Sequence, residues 1–123
     1  MAVSVPAYNS YLLPDLSFVC EDPEFVDDNR TRLLNPALLI EVISESSDAY
    51  DRGEKFQKYR SLKSFREYTL IDSRRYAVEC WYRQDEKIWR MDSAFERNGS
   101  VYLHTLDVDL PLAEIYRRVT FAD

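Results

Sequence analysis

Three residues carry the types and settings from which chemistry could be built: Asp15, Glu41 and Lys55. Glu41 is the only charge in the run Ala37-Leu38-Leu39-Ile40-Glu41-Val42-Ile43. A carboxylate placed there must leave water, at a cost of several kcal/mol unless something neutralises it. The residues alone leave two readings open, a buried ion pair or protonated acid on one side and a metal ligand on the other. Asp15 follows Pro14 in a neighbouring strand-like run, which would hold a second carboxylate close to a loop and solvent. Two strand-borne carboxylates facing each other repel, and a divalent ion between them removes the repulsion. Mg²⁺ characteristically takes one or two protein carboxylates together with water and substrate phosphate. On the metal-ligand reading, Mg²⁺, with Mn²⁺ as its substitute, is the expected cofactor. The other reading of Asp15 is a turn-initiating aspartate. Lys55 lies four residues after Asp51 and four before Tyr59, so the three line one side of a helix. An ammonium there could orient a water, offset charge on Glu41 or stabilise charge developing on a phosphate. It could equally form an exposed pair with Asp51. Tyr59 itself reads as core.

The elements that must position these side chains follow from periodicity. Ala37 to Ile43 is apolar on both alternating faces, the pattern of a central strand covered on both sides. Leu12 to Cys20 reads as one strand entered through Pro14, and Ala2 to Tyr8 as a weak strand. The acidic stretch from Glu21 to Arg32 reads as a long loop. Capping residue types between Ser44 and Asp48 precede a helix from about Asp48 to Leu62, with Tyr50, Phe56, Tyr59 and Leu62 as its buried stripe. Strands then follow at Glu67 to Ile71, Tyr76 to Tyr82, Lys87 to Met91 and Val101 to Thr105, an antiparallel meander. Of its turns, Asn98-Gly99 is the strongest hairpin signal. Asp109 to Tyr116 reads as a capped short helix with Pro111 in its first turn. The fold class is mixed α/β, with a central sheet and flanking helices.

Composition bounds the rest. A chain of 123 residues with 46% hydrophobic residues and only two glycines predicts a single folded domain over residues 1–123 rather than a disordered or linker-like chain. No apolar run reaches the roughly 20 residues of a membrane helix, and no basic segment followed by an apolar one opens the sequence, so a cytoplasmic location is expected. Cys20 and Cys80 lack partners at zinc-ligand spacing and read as buried thiols. A net charge of −6 argues against a broad basic surface for nucleic acid, so any such contact must be local. Arg52, Lys55, Lys58, Arg60, Lys63 and Arg66 supply the one basic cluster. His104 falls beside core positions and reads as structural, and Trp81, Trp89, Tyr76, Tyr82 and Tyr102 read as cross-strand packing rather than base-stacking platforms.

Taken in order, Pro14-Asp15, then Leu39-Ile40-Glu41-Val42-Ile43-Ser44 with Ser46-Ser47, then Asp51-Arg52-Gly53-Glu54-Lys55 with Tyr59, then Glu67-Tyr68-Thr69-Leu70-Ile71-Asp72 resemble the Uma2 (DUF820) family. The resemblance runs from about Leu12 to Tyr116 and rests on the series rather than on one motif. It implies the restriction-endonuclease-like core of the PD-(D/E)XK superfamily, one or two bound Mg²⁺ ions and phosphodiester hydrolysis. Asp15 and Glu41 would be metal ligands, with the Val42 carbonyl as a further one. The superfamily's usual lysine position, two residues beyond the second acid, is held by Ile43, so its role is carried onto Lys55. Family members carry a helical region and an early strand pair ahead of the Pro-Asp strand, whereas only about a dozen residues precede it here. Either the member is shortened or Met1 is not the start of the natural chain, and a missing front layer would leave core exposed and favour a homodimer or low activity. The expected function is thus a metal-dependent endonuclease acting on nucleic acid, DNA first. The rival is an inactive nuclease-fold module for binding or dimerisation, with Glu41 and Lys55 as a buried structural pair.

Overall fold

The computed structural model describes residues 1–121. The chain opens with strand β1 (Ala2–Val5), a single 3-10 turn at Pro6–Tyr8 and strand β2 (Ser10–Leu12). Strands β3 (Leu16–Phe18), β4 (Arg32–Leu33) and β5 (Leu38–Ile43) lead into helices α1 (Asp48–Arg52) and α2 (Glu54–Arg60). Strands β6 (Glu67–Asp72), β7 (Val78–Arg83), β8 (Trp89–Ala94), β9 (Ser100–Leu103) and β10 (Val108–Pro111) follow, and helix α3 (Leu112–Ile115) comes last.

The main sheet has five strands in the order β3-β5-β6-β7-β8. Its β5 and β6 run parallel, joined by the helical crossover that parallel neighbours require, and its other neighbours are antiparallel. The sheet is therefore mixed, with β6-β7-β8 as the first three strands of the meander read from the sequence, whose fourth strand, β9, leaves it to pair with β10. A three-stranded sheet, β2-β1-β4, and the β9–β10 pair stand apart from it.

Alternation along the strands splits the core into two layers. Leu39, Ile43, Tyr68 and Leu70 face α2, where they meet Phe56, Tyr59 and Leu62 together with Val3, Val5, Leu12 and Leu33 of the small sheet. Leu38, Ile40, Val78 and Cys80 point the other way, onto Val101, Leu103, Leu112 and Tyr116. Phe56 anchors the first layer: it stacks on Tyr68 at 4.7 Å between centroids and meets Trp89 edge-on at 5.2 Å.

Several expectations are corrected. The run from Leu12 to Cys20 is not one strand, because the segment from Leu13 to Asp15 separates β2 from β3. An early strand pair does precede Pro14, since β1 and β2 pair antiparallel. The expected helix from Asp48 to Leu62 is two helices that break at Gly53, which departs from helical geometry at φ −100 and ψ −96. That break shifts the phase of the buried stripe, so Tyr50 is exposed while Asp51 is buried. Asn98-Gly99 makes no hairpin: neither residue has the positive φ that a tight primed turn needs, and the chain passes from the main sheet into β9. The predicted helix from Asp109 starts only at Leu112, because Val108–Pro111 pairs with β9 through a turn at Asp107, whose φ is 52. Cys80 is buried, as expected, but Cys20 is exposed.

Candidate active site

Where β3 begins, the ladder between it and β5 is interrupted for a chemical reason. The register pairs Leu16 with Ile40 and Phe18 with Leu38. One step further places Asp15 opposite Glu41, and the next places Pro14 opposite Val42. Proline has no N–H, so the ladder cannot continue there. Asp15 fills the gap with its side chain, its Oδ2 accepting the Val42 N–H at 2.7 Å. In return the Asp15 N–H donates to Glu41 Oε1 at 3.0 Å. A strand residue directs its N–H and its C=O to the same neighbour. The Val42 carbonyl therefore faces the same edge as the Asp15 carboxylate.

Glu41 points to the helix side of the sheet, with Leu39 and Ile43, and is only 1% exposed. Lys55, from the first turn of α2, closes onto it: its Nζ pairs with Glu41 Oε2 and also donates to the Leu13 carbonyl at 3.1 Å. The structure thus brings Asp15, Glu41, Val42 and Lys55 together, with Lys55 aimed inward. Asp15 is exposed and forms the solvent side of the cluster, while Glu41 lies sealed behind it.

Asp51 was read as a surface partner of Lys55 and is instead buried, with Oδ1 3.6 Å from the ammonium. The Tyr68 hydroxyl donates to the Asp51 backbone carbonyl at 2.9 Å and ties α1 to β6. The sequence shows the spacing of Asp51 four residues before Lys55, but that spacing is the same on a surface helix and on a buried one, so it does not mark Asp51 as buried. Two buried carboxylates now share one ammonium. Burial pushes the Glu41 carboxyl up to about 7, with Lys55 opposing the rise and the Asp51 charge adding to it. Tyr59 is core, as read, yet its hydroxyl is buried without a hydrogen-bond partner. Burial and then the Glu41 and Asp51 charges raise its pKa, which places the hydroxyl within reach of both fields.

Other buried acids have complete explanations of their own. Glu67 accepts the backbone N–H groups of His104 and Thr105 at 2.8 and 2.7 Å. Asp72 is held by Arg74 and Arg75, and Arg52 bridges Asp48 and Glu79, so these ion pairs brace α1 against β6 and β7. Burial pushes the Cys80 thiol up to about 12, against the hydrogen bond it shares with the Thr69 hydroxyl, so it stays protonated at neutral pH. His104, expected beside the core, is exposed and stacks on Tyr82 at 4.0 Å with Tyr102 edge-on, so these aromatics pack between β7 and the end of β9 at the surface rather than in the core. Trp81 and Trp89 pack on the core as read.

Whether the cluster suits Mg²⁺ is a question of donor chemistry. Among the described residues, no three His, Cys, Asp or Glu side chains gather as a metal cage. Mg²⁺ does not require one, since it is held by one or two carboxylates with water and phosphate supplying the rest. The Asp15 and Glu41 carboxylates and the carbonyl of Val42 are all hard oxygen donors, and with both acids ionised the buried Glu41–Asp51–Lys55 group carries one more negative than positive charge. The residues fit the ion.

A profile of the Uma2 family, described as "Putative restriction endonuclease", matches residues 1–113. The uncharacterized protein sll1609 of Synechocystis sp. is 31% identical over 101 residues, which is 82% of this chain and 57% of that protein. The uncharacterized protein slr1290 of the same organism is 27% identical over 122 residues, 98% of this chain and 62% of that one. The chain thus spans about three fifths of the length of the curated relatives it matches. A "putative nuclease belonging to DUF820" from Anabaena variabilis shares the fold, with a TM-score of 0.70 over 94% of this chain and 64% of that chain at 15% identity. With residues 1–113 matched, this chain belongs to the Uma2 family.

Proposed function

We propose that this chain is a metal-dependent endonuclease that hydrolyses phosphodiester bonds of nucleic acid, with DNA as the first substrate to test. The observation that carries the reading is the Asp15–Glu41 pair, two carboxylates each accepting a backbone N–H across a proline-terminated ladder, with Lys55 closing from α2. Family and fold point the same way, toward a restriction-endonuclease-like nuclease. Asp15, Glu41 and the Val42 carbonyl would hold Mg²⁺, or Mn²⁺ in its place. When bound, such an ion supplies Lewis-acid activation of water and neutralises charge on the phosphodiester.

The chain's own residues account for the remainder. Asp15 is the exposed carboxylate through which a phosphate would approach. Its Oδ2 is fixed by the Val42 N–H, which holds the side chain in one orientation before any ligand arrives. The Lys55 ammonium is the one cation inside the cluster, and it would offset charge building on the phosphate in the transition state. Ile43, in the position where the superfamily carries its lysine, is buried in the core and takes no part.

The Lys55–Glu41 ion pair also favours the second reading, a nuclease-fold module without activity in which the pair is purely structural. A homodimer and a cytoplasmic setting belong to the proposal in either form. The free Cys20 and Cys80 support a reducing compartment, and sedimentation at two concentrations tests the dimer.

Calorimetry with Mn²⁺ and Mg²⁺, followed by nicking of supercoiled plasmid, tests the catalytic reading. The folded wild type should bind and nick, EDTA should abolish nicking, and Asp15→Asn or Glu41→Gln should lose about 100-fold or more in rate. A folded wild type that binds neither ion nor nicks DNA would establish the structural pair instead.

A further inference from the structure

Asp51 is 5% exposed, yet among the described residues no hydrogen bond reaches its carboxylate, and the one cation within 4.0 Å is the Lys55 ammonium at 3.6 Å. A buried carboxylate so weakly satisfied is costly by itself. Glu67 and Asp72 show how this chain settles a buried acid when the purpose is structural, with two backbone N–H groups for one and two guanidinium groups for the other. Asp51 receives nothing comparable. It lies on the last turn of α1, across the Gly53 break from Lys55, and the ammonium that should serve it is committed to Glu41 and to the Leu13 carbonyl.

The geometry therefore describes one ammonium with two seats. In the structure it occupies the Glu41 seat, and the Asp51 seat stands less than 1 Å beyond hydrogen-bond reach. A divalent cation at Glu41 would repel the ammonium from the first seat. Without Asp51 the displaced ammonium would be buried and unpaired, and that cost would fall on cation binding. With Asp51, the ammonium keeps a carboxylate partner before and after the exchange. The Tyr59 hydroxyl, buried and unpartnered, is a further donor in the same field.

We propose that Asp51 is a positioning residue that receives the Lys55 ammonium when Glu41 takes up a divalent cation, so that cation uptake and the placement of Lys55 are one coupled event. This rests on the metal-dependent reading of Glu41 given above. Asp51 acts through Lys55 and touches neither cation nor substrate.

The test is a double-mutant cycle read as Mn²⁺ affinity by calorimetry, with wild type, Asp51→Asn, Lys55→Met and the double variant each checked for folding by circular dichroism. Asp51→Asn should weaken Mn²⁺ binding about tenfold or more when Lys55 is present, and at least about fivefold less when Lys55 is replaced, since no displaced ammonium then needs a seat. Equal losses in the two backgrounds would reduce Asp51 to a nearby charge and overturn the inference, while leaving the metal site standing. A folded wild type that binds no Mn²⁺ would overturn both together. Should Lys55→Met fail to fold, the Lys55 ¹³Cε resonance replaces it. A shift that saturates with Mg²⁺ in the wild type and is absent from Asp51→Asn supports the exchange. An unmoved resonance in a protein that binds Mg²⁺ overturns it.

Discussion

At the scale of single residues, Glu41 sets the terms for everything around it. A carboxylate 1% exposed survives at the centre of a strand only because Lys55 and the Asp15 N–H reach it. Lys55→Met leaves two buried carboxylates without a cation and should cost roughly 3–5 kcal/mol in urea unfolding with EDTA present. Glu41→Gln should cost clearly less, because Lys55 keeps Asp51 as a partner. A reversed order would show that Asp51 does not serve the Lys55 ammonium once the Glu41 charge is gone. Tyr59→Phe removes a buried hydroxyl that has no partner, so the metal-free variant should be as stable as the wild type or about 1 kcal/mol more stable. The same unfolding experiment reads this, and a loss of that size would reveal a hydrogen bond to the hydroxyl. Asp15, Glu41 and Lys55 were legible in the sequence because a lone charge among apolar residues and a Pro-Asp step are local signals. Asp51 was not, because an acid four residues before a lysine looks the same on a surface helix as on a buried one.

At the scale of elements, the decisive feature is the break at Gly53. It divides what periodicity reads as one helix, turns Tyr50 out to solvent and turns Asp51 in. A β-carbon on Gly53 would lie 3.0 Å from the Ala49 carbonyl oxygen, the same oxygen that accepts the Gly53 N–H. Gly53→Ala should therefore destabilise the fold by about 1 kcal/mol and weaken Mn²⁺ binding by disturbing the Asp51–Lys55 spacing. Unchanged affinity in a destabilised variant would separate the break from the site. The other device at this scale is the ion-pair brace on α1. Hydrogen bonds from Arg74 hold Asp48 below the ordinary carboxylate range, with Arg52 assisting against slight burial. For Asp72 burial is the larger influence and pushes upward, but Arg74 and Arg75 together outweigh it and hold that carboxyl low as well. Groups lowered on folding add stability that is complete above an unfolded value of about 3.9 and is lost as pH falls through their folded values. The stability difference between wild type and Arg74→Ala should accordingly be widest at neutral pH and close toward pH 2 or so. A constant gap would mean that Arg74 acts by packing. Strand interiors at β5, β6 and β7 were readable because hydrophobic alternation survives any tertiary context. Strand breaks such as Leu13 to Asp15, and the absence of a hairpin at Asn98-Gly99, depend on which sheet the next segment joins, which local pattern does not encode.

At the scale of the whole molecule, a net charge of −6 must be reconciled with the proposed polyanionic substrate. The basic cluster read from the sequence resolves into two groups. Arg52, Lys55 and Lys58 are neutralised by acids within the fold. Arg60, Lys63 and Arg66 are exposed, and among the described residues none has a carboxylate within ion-pair distance. They follow one another along the chain from the last residue of α2 to the residue before β6, an exposed basic corner with Glu21 and Glu24 beside Lys63 and Arg66. Arg60 is further fixed by its guanidinium over the Phe56 ring at 4.7 Å. A phosphate backbone meeting this surface would be held at that corner, while repulsion elsewhere keeps other contacts few. Each phosphate contact contributes a slope of about −0.9 in log affinity against log salt on duplex DNA. The wild type should thus show a shallow salt dependence, set by roughly three contacts. Alanine at Arg60, Lys63 or Arg66 should each weaken binding and flatten the slope by about one contact. Anisotropy of a labelled duplex, in EDTA so that binding is separated from cleavage and between about 50 and 200 mM salt, reads both quantities. A slope that the three substitutions leave untouched would place the nucleic acid on another face, and the corner would then be ordinary solvated surface.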